Sequence, residues 1–204
     1  MNEVGPDPFQ HRHRIAPVTG EGWARLVAAV RELQSVVASV APPDVVSLAA
    51  AEQLAEVSAN LGVHRVGEWD RYAGRRPDLP GRGHPLLLPF VVDDEAPGRV
   101  SGRVVFSRFH LGGNDAAHGG TLPLLFDEVL GRLNDGRGGR RPARTAYLHV
   151  NYRNITPLER ELRVEGSLDR VEGRKRFTTG RLFDGDTLVC EAEGLFVELL
   201  PGMP

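Results

Sequence analysis

His118-Gly119-Gly120-Thr121-Leu122-Pro123-Leu124-Leu125-Phe126-Asp127-Glu128-Val129-Leu130-Gly131-Arg132-Leu133 is the stretch on which the reading of this chain turns. Leu122, Phe126, Val129, Leu130 and Leu133 form one apolar stripe at helical spacing, which predicts a single helix over 120–133. Pro123 is compatible with that helix, because a first-turn N–H has no intrahelical partner to lose. Asp127 lies about 130° from the centre of the stripe, on the side of Leu124 and Gly131. Gly131 costs about 1 kcal/mol of helix stability relative to alanine, and it permits close approach by another chain or a ligand. Glu128 points about 100° further round. It reads as a surface or loop partner and as the fallback carboxylate.

Outward from this helix the pattern changes to strands. Four runs follow it: 145–154, 161–171, 175–183 and 187–199. In the second, Leu162, Val164, Gly166 and Leu168 alternate with Arg163, Glu165, Ser167 and Asp169, as in a half-buried antiparallel strand. Glu172-Gly173 and Asp184-Gly185 are hairpin signals between consecutive runs. Leu86–Val92 and Val100–Phe109 read as strands before the helix. Two strands, one helix and four strands make an α+β layer architecture, an antiparallel six-stranded sheet wrapped around one central helix. Its edge strands are open to a second copy.

The N-terminal part is different. Residues 1–20 read as a flexible tail, and 21–62 as a helical region. Trp23, Leu26, Val27, Val30, Leu33 and Val37 predict an amphipathic helix over 22–40. Pro42-Pro43 stops it, Asp44 is the expected cap of a second helix through Asn60, and Gly62 suits the left-handed position beyond. Residues 63–83, rich in Gly, Pro and Arg, form a connecting loop before the main domain at 84–200.

Composition narrows the function classes. With 204 residues and a net charge of -2, nothing attracts nucleic acid or an anionic membrane globally. Leu86–Val92, the longest apolar run, is too short to span a bilayer, and the N-terminus lacks a signal peptide's apolar core. Cys190 is the single cysteine, which excludes an intramolecular disulfide and fits a cytoplasmic setting; it reads as a packing residue. The seven histidines, His11 and His13 of the tail included, show no metal-ligand spacing, so no metal is expected. The arginines from Arg137 to Arg144 lie in a Gly-rich, aromatic-poor loop that does not suggest nucleic-acid binding.

The chemistry is concentrated in the opening stretch. A helix start free of side chains offers bare N–H groups to a developing negative charge. A carboxylate on the same helix can activate water or attack a carbonyl. Together they outline an acyl-transfer site or one for ester or thioester hydrolysis.

Several motifs then carry a resemblance: His118-Gly119-Gly120 with Asp127 and Gly131, and the run Thr145-Ala146-Tyr147-Leu148-His149-Val150-Asn151-Tyr152-Arg153-Asn154-Ile155-Thr156-Pro157-Leu158. Val171-Glu172-Gly173-Arg174-Lys175 and Cys190-Glu191-Ala192-Glu193-Gly194-Leu195-Phe196-Val197 also fit. The arrangement resembles the hotdog fold, and the sequence is similar to the PaaI-type acyl-CoA thioesterases over roughly 84–200. The resemblance implies that the Gly119 N–H polarises the thioester carbonyl, with Asp127 as general base or nucleophile. It implies that Thr145 positions the water and His118 shapes the loop. The site would form between subunits of a homodimer, possibly within a dimer of dimers. Acyl-CoA would be the substrate, with no bound cofactor.

One departure is visible. Relatives carry Asn or Gln six residues before the histidine, where this chain has Gly112; either Asn114 fills that role or the contact is missing. Thr145 raises a second question. Strict alternation along its strand points it away from the helix, unless a bulge at the strand start redirects it. Gly120, Arg153, Asn154, Arg174 and Lys175 are the candidate substrate-binding residues. Guanidinium groups, Arg176 included, suit the phosphates of coenzyme A, although each equally fits a solvated strand-end charge. Two other readings use the same fold. One is an enoyl-CoA hydratase, whose histidine follows its aspartate and which finds no match here; the other is a non-catalytic acyl-CoA sensor.

Overall fold

The computed structural model describes residues 20–136 and 141–200. Alternating apolar positions build the main layer. Strands β1 (Val91–Ala96) and β2 (Arg99–Val105) form a hairpin, and two short strands, β3 (Leu111–Gly113) and β4 (Ala116–Ala117), pair with each other. After the central helix come β5 (Ala143–Tyr152), β6 (Glu161–Glu172), β7 (Lys175–Asp184) and β8 (Thr187–Glu198). The six-stranded sheet has the order β1-β2-β6-β7-β8-β5, and every neighbouring pair is antiparallel. The predicted hairpins stand where expected, with Gly173 and Gly185 both at φ 57. β5 therefore lies at one edge, hydrogen-bonded only to β8.

The N-terminal helices are α1 (Gly22–Val37) and α2 (Asp44–Gly62), and the central helix, α3, runs Thr121–Arg132. Its stripe is buried as the spacing predicts, with Leu122, Phe126, Val129 and Leu130 at 2% exposure or less. The sheet makes room for it with small residues. A Cβ on Gly180 would stand 2.7 Å from Phe126 Cδ1, and one on Gly166 would stand 3.1 Å from Val129 Cγ1. The fold is thus the expected α+β arrangement, a six-stranded antiparallel sheet on one central helix with N-terminal helices added.

Four local expectations are corrected. The apolar run at Leu86–Val92 is not a strand: Pro85 and Pro89 interrupt the ladder, and the strand begins only at Val91. Leu88 and Phe90 still enter the core from irregular backbone. The second strand stops at Val105, and Arg108–His110 form a short 3-10 turn. Asp44 is the first helical residue and not the cap; Pro43 precedes it, and the acid sits in the first turn, where the helix dipole favours it. Gly62 closes α2 in helical conformation, with right-handed Val63 beyond it.

α1 buries Val27 and stacks Trp23 against Tyr72 with ring centroids 5.5 Å apart. α2 buries no residue at all. Among the described residues, no helix is long and apolar enough to cross a membrane, and no three His, Cys, Asp or Glu side chains gather as a metal site would require. The expected tail with His11 and His13, apart from Gly20, lies outside the described residues, as does 137–140 of the Arg-rich loop.

Candidate active site

The amino end of α3 is organised by His118. Its Nδ1 accepts the Gly120 N–H at 3.0 Å, and its carbonyl accepts both the Thr121 N–H at 2.9 Å and the Thr121 hydroxyl at 2.6 Å. The Leu122 N–H reaches the Gly119 carbonyl at 3.3 Å. Gly120, Thr121 and Leu122 thus have their donors engaged, whereas the Gly119 N–H has no acceptor among the described residues. Of the bare donors a helix start presents, this loop leaves one uncommitted. It belongs to the glycine named from the sequence.

Two further contacts fix that loop. The Tyr152 hydroxyl, from the end of β5, donates to the Gly119 carbonyl at 2.9 Å, and the His118 N–H donates to the His110 carbonyl at 2.6 Å. Tyr152 carried no site role in the sequence reading, and no spacing signal points to it. Gly112 has a steric reason to lack a side chain, since a Cβ there would stand 2.7 Å from His118 Cα. Asn114 and Asp115, at φ 51 and 53, form the tip of the β3–β4 hairpin. These are the residue types that tolerate the left-handed region.

Two turns further along α3, Asp127 is exposed and accepts the Thr145 hydroxyl on Oδ1 at 2.8 Å. The bulge that the alternation required is present: the β5–β8 register shifts between Thr145 and Tyr147, which turns Thr145 towards the helix. Asp127 and Thr145 share a cleft of about 710 Å³ with Phe196 of β8 and with the connector from Glu68 to Leu87.

Glu128 has the opposite fate. The surface reading is corrected, for its side chain is only 5% exposed and pairs with Arg82 Nη2 at 2.5 Å. Arg132 stands further off, at 3.7 Å from Oε1. Burial raises its carboxyl above the ordinary carboxylate range, opposed by Arg82 and Arg132. The loop-partner half of the reading stands, and the partner comes from the connector. The Gly-, Pro- and Arg-rich composition marked a connecting loop, but nothing in it pointed to Glu128.

The proposed phosphate-binding residues are divided between the two ends of the sheet. Arg153 chelates Glu191 at 2.9 and 2.6 Å, and Asn154 Nδ2 donates to the Leu188 carbonyl at 2.8 Å, both beyond the Tyr152 end of β5. Arg174 and Lys175 are exposed at the β6–β7 turn, near the Thr145 end, where Lys175 and Arg144 both pair with Val197. Arg176 is buried at 2% exposure, bonded to Glu198 and the Arg141 carbonyl, and is spent on structure. Burial pushes the Cys190 thiol up to about 11, which suits packing and not nucleophilic attack.

Comparison with known proteins fits this geometry. Residues 114–191 match the model of the thioesterase superfamily. The acyl-coenzyme A thioesterase THEM4 of Bos taurus is 36% identical over 86 residues, 41% of this chain and 34% of that protein. The chain thus spans about a third of the length of that curated relative. A crystal structure of a thioesterase superfamily protein superposes with a TM-score of 0.75 at 28% identity, covering 90% of this chain and 94% of the other. That coverage reaches beyond the sheet and central helix into the N-terminal region. A hypothetical thioesterase of Streptococcus pneumoniae, solved with coenzyme A, shares the fold at TM-score 0.50 and 19% identity over 53% of this chain and 87% of its own. The stretch that carries Gly119, Asp127 and Thr145 is thus similar to the thioesterase superfamily, and the fold that carries it is the hotdog fold.

Proposed function

We propose that this protein hydrolyses acyl-CoA thioesters to a free acid and coenzyme A in a site completed by a second copy of the chain. The observation that carries the reading is the Asp127–Thr145 hydrogen bond at 2.8 Å, set in a cleft, together with the uncommitted Gly119 N–H. Asp127 takes a proton from water, or attacks the thioester carbon itself. Thr145 holds the carboxylate and orients the attacking atom. The Gly119 N–H receives the charge that develops on the carbonyl oxygen. His118 engages the neighbouring donors and so shapes the turn that presents this one.

The second copy follows from distance. Asp127 lies eight positions beyond Gly119, a rise of about 12 Å along a helix axis. An oxyanion donor and an attacking group must each lie about 3 Å from one reacting carbonyl, so one chain's pair does not span it. The unpaired edge of β5 supplies the remedy. Antiparallel pairing of two β5 edges lays the two α3 helices side by side in opposite directions, with the Gly119 end of one beside Asp127 of the other. β5 is ten residues long and carries neither proline nor lysine to blunt that edge. Arg174 and Lys175, at the Asp127 end, are the cations of the candidate set placed to meet the nucleotide phosphates. The single buried cysteine suits a cytoplasmic setting.

The test is thiol release from a panel of acyl-CoAs. Turnover by the wild type and its loss in Asp127→Asn, with the fold intact by circular dichroism, supports the reading. Hydration of a crotonyl thioester without thiol release, or binding without either reaction, refutes it.

A further inference from the structure

The connector between α2 and β1 is fixed far more tightly than its Gly- and Pro-rich composition requires. Its bend is held from both sides. Gly81, Arg82 and Gly83 are all left-handed, at φ 56, 55 and 63, and a Cβ on Gly81 would stand 2.5 Å from the Leu88 carbonyl. From α1, Arg31 Nη2 donates to the carbonyls of Pro80, His84 and Leu87 at 3.1, 3.1 and 3.3 Å, and Trp23 Nε1 donates to Gly83 at 3.1 Å. Within the connector, the N–H groups of Gly74 and Arg76 both reach the Arg82 carbonyl. Arg82 is a non-glycine residue in a conformation that disfavours side chains. What that conformation delivers is its guanidinium to Glu128, the residue next to Asp127 on α3.

This bend fixes a wall of the Asp127 cleft. Trp69, Pro77, Leu86 and Leu87 of the connector line it together with Phe196, and Arg71, Arg75, Asp135 and Arg144 stand among them. The Arg75 guanidinium lies 5.4 Å from the centre of the Trp69 ring. The exposed cations Arg174 and Lys175 stand outside this cleft, at the β6–β7 turn.

Resting on the thioesterase reading above, we infer that the connector is the far wall of the acyl pocket, with Trp69 as its stop and the Arg82–Glu128 pair as its clamp. The preferred substrates are acyl groups of limited length. Arg82 does not touch the reacting atoms; it is a positioning residue, and α1 exists in part to hold the bend that aims it.

The probe is a series of S-alkyl-CoA thioethers from ethyl to dodecyl, which cannot be hydrolysed, titrated calorimetrically into the full-length protein. Each further buried methylene strengthens binding by about fourfold until the pocket ends. Wild-type affinity is expected to stop rising partway along the series. In Trp69→Ala and in Arg82→Gln the break moves to longer chains, and the ratio of dodecyl to butyl affinity rises by about tenfold or more. Arg82→Lys, which keeps a charge for Glu128, falls between Arg82→Gln and the wild type. Ratios in all variants matching the wild type overturn the inference, and so does a wild-type series that shows no break. Because the thioethers need no turnover, absence of thiol release from true thioesters would sink the proposed reaction while leaving this measurement decisive for the wall.

Discussion

At the amino end of α3, His118 and Thr121 settle most of the backbone polar groups over two or three residues, Tyr152 of β5 alone reaches in from 33 residues away to the Gly119 carbonyl, and a single N–H is left over. At Asp127 and Glu128, two turns on, the partners come from distant parts of the chain, Thr145 on β5 and Arg82 on the connector. The contrast teaches how a hotdog site divides its work. The Gly119 end is a turn organised by His118 and pinned by one residue of β5. The Asp127 end is assembled from a helix, a bulged strand and a strap, and under the proposed reaction it is where specificity would vary. Adjacent residues show it most sharply, since Asp127 faces the cleft exposed while Glu128, turned by about 100°, is buried under the strap.

The largest expected effect breaks the acid end. Asp127→Asn lowers kcat by about 10³-fold, within the usual range for losing a general base, as read by thiol release. Next is the donor end. Gly119→Pro removes the uncommitted N–H and costs about 10²-fold in kcat, the scale of one oxyanion-hole donor. Gly119→Ala sharpens that comparison, because its Cβ meets Tyr152 at an ordinary 3.6 Å and the N–H remains; its activity stays near that of the wild type.

Arg82→Gln follows. Breaking a buried pair costs about 3–5 kcal/mol, but Arg82 is 39% exposed and Arg132 remains near Glu128, so about 2 kcal/mol of unfolding free energy is expected from urea titration. Thr145→Ala then lowers kcat about tenfold, one charge-assisted hydrogen bond's worth, and Thr145→Ser restores most of it. The smallest effect concerns His110, whose Nδ1 accepts the Ser107 N–H at 2.9 Å and whose carbonyl holds His118. Burial lowers its pKa from the usual 6.5. A base with a depressed folded value contributes stability above its unfolded pKa and loses it as pH falls through the folded one. Stability therefore drops as pH falls below 6.5, and His110→Gln flattens that dependence in pH-resolved urea melts.

The donor end was the more legible from sequence, for a physical reason. The stripe of α3 repeats every turn, and the glycine pair sits where the helix must begin, so both are properties of neighbouring residues. The hairpins at Gly173 and Gly185 were legible for the same reason. The orientation of Thr145 was not: the resemblance named the residue, but alternation sent it outwards, and the bulge that turns it in depends on pairing with β8, fifty residues later. Glu128 was misplaced because a helix read alone cannot show a strap that covers it from forty-six residues upstream. Leu86–Val92 misled because apolar character looks the same in a strand and in a proline-interrupted segment that feeds the core.

The claim that most of this rests on is that donor and acid act from different chains. It is tested directly by unfolding Asp127→Asn and Gly119→Pro together in equal amounts and refolding the mixture. Half of the dimers then pair one variant with the other, and each such dimer holds one site with both groups intact. Recovery of about a quarter of wild-type thiol release is expected from two proteins that are each nearly inactive alone. A refolded mixture no more active than the average of its parts, with mixed dimers confirmed by mass spectrometry, would contradict it.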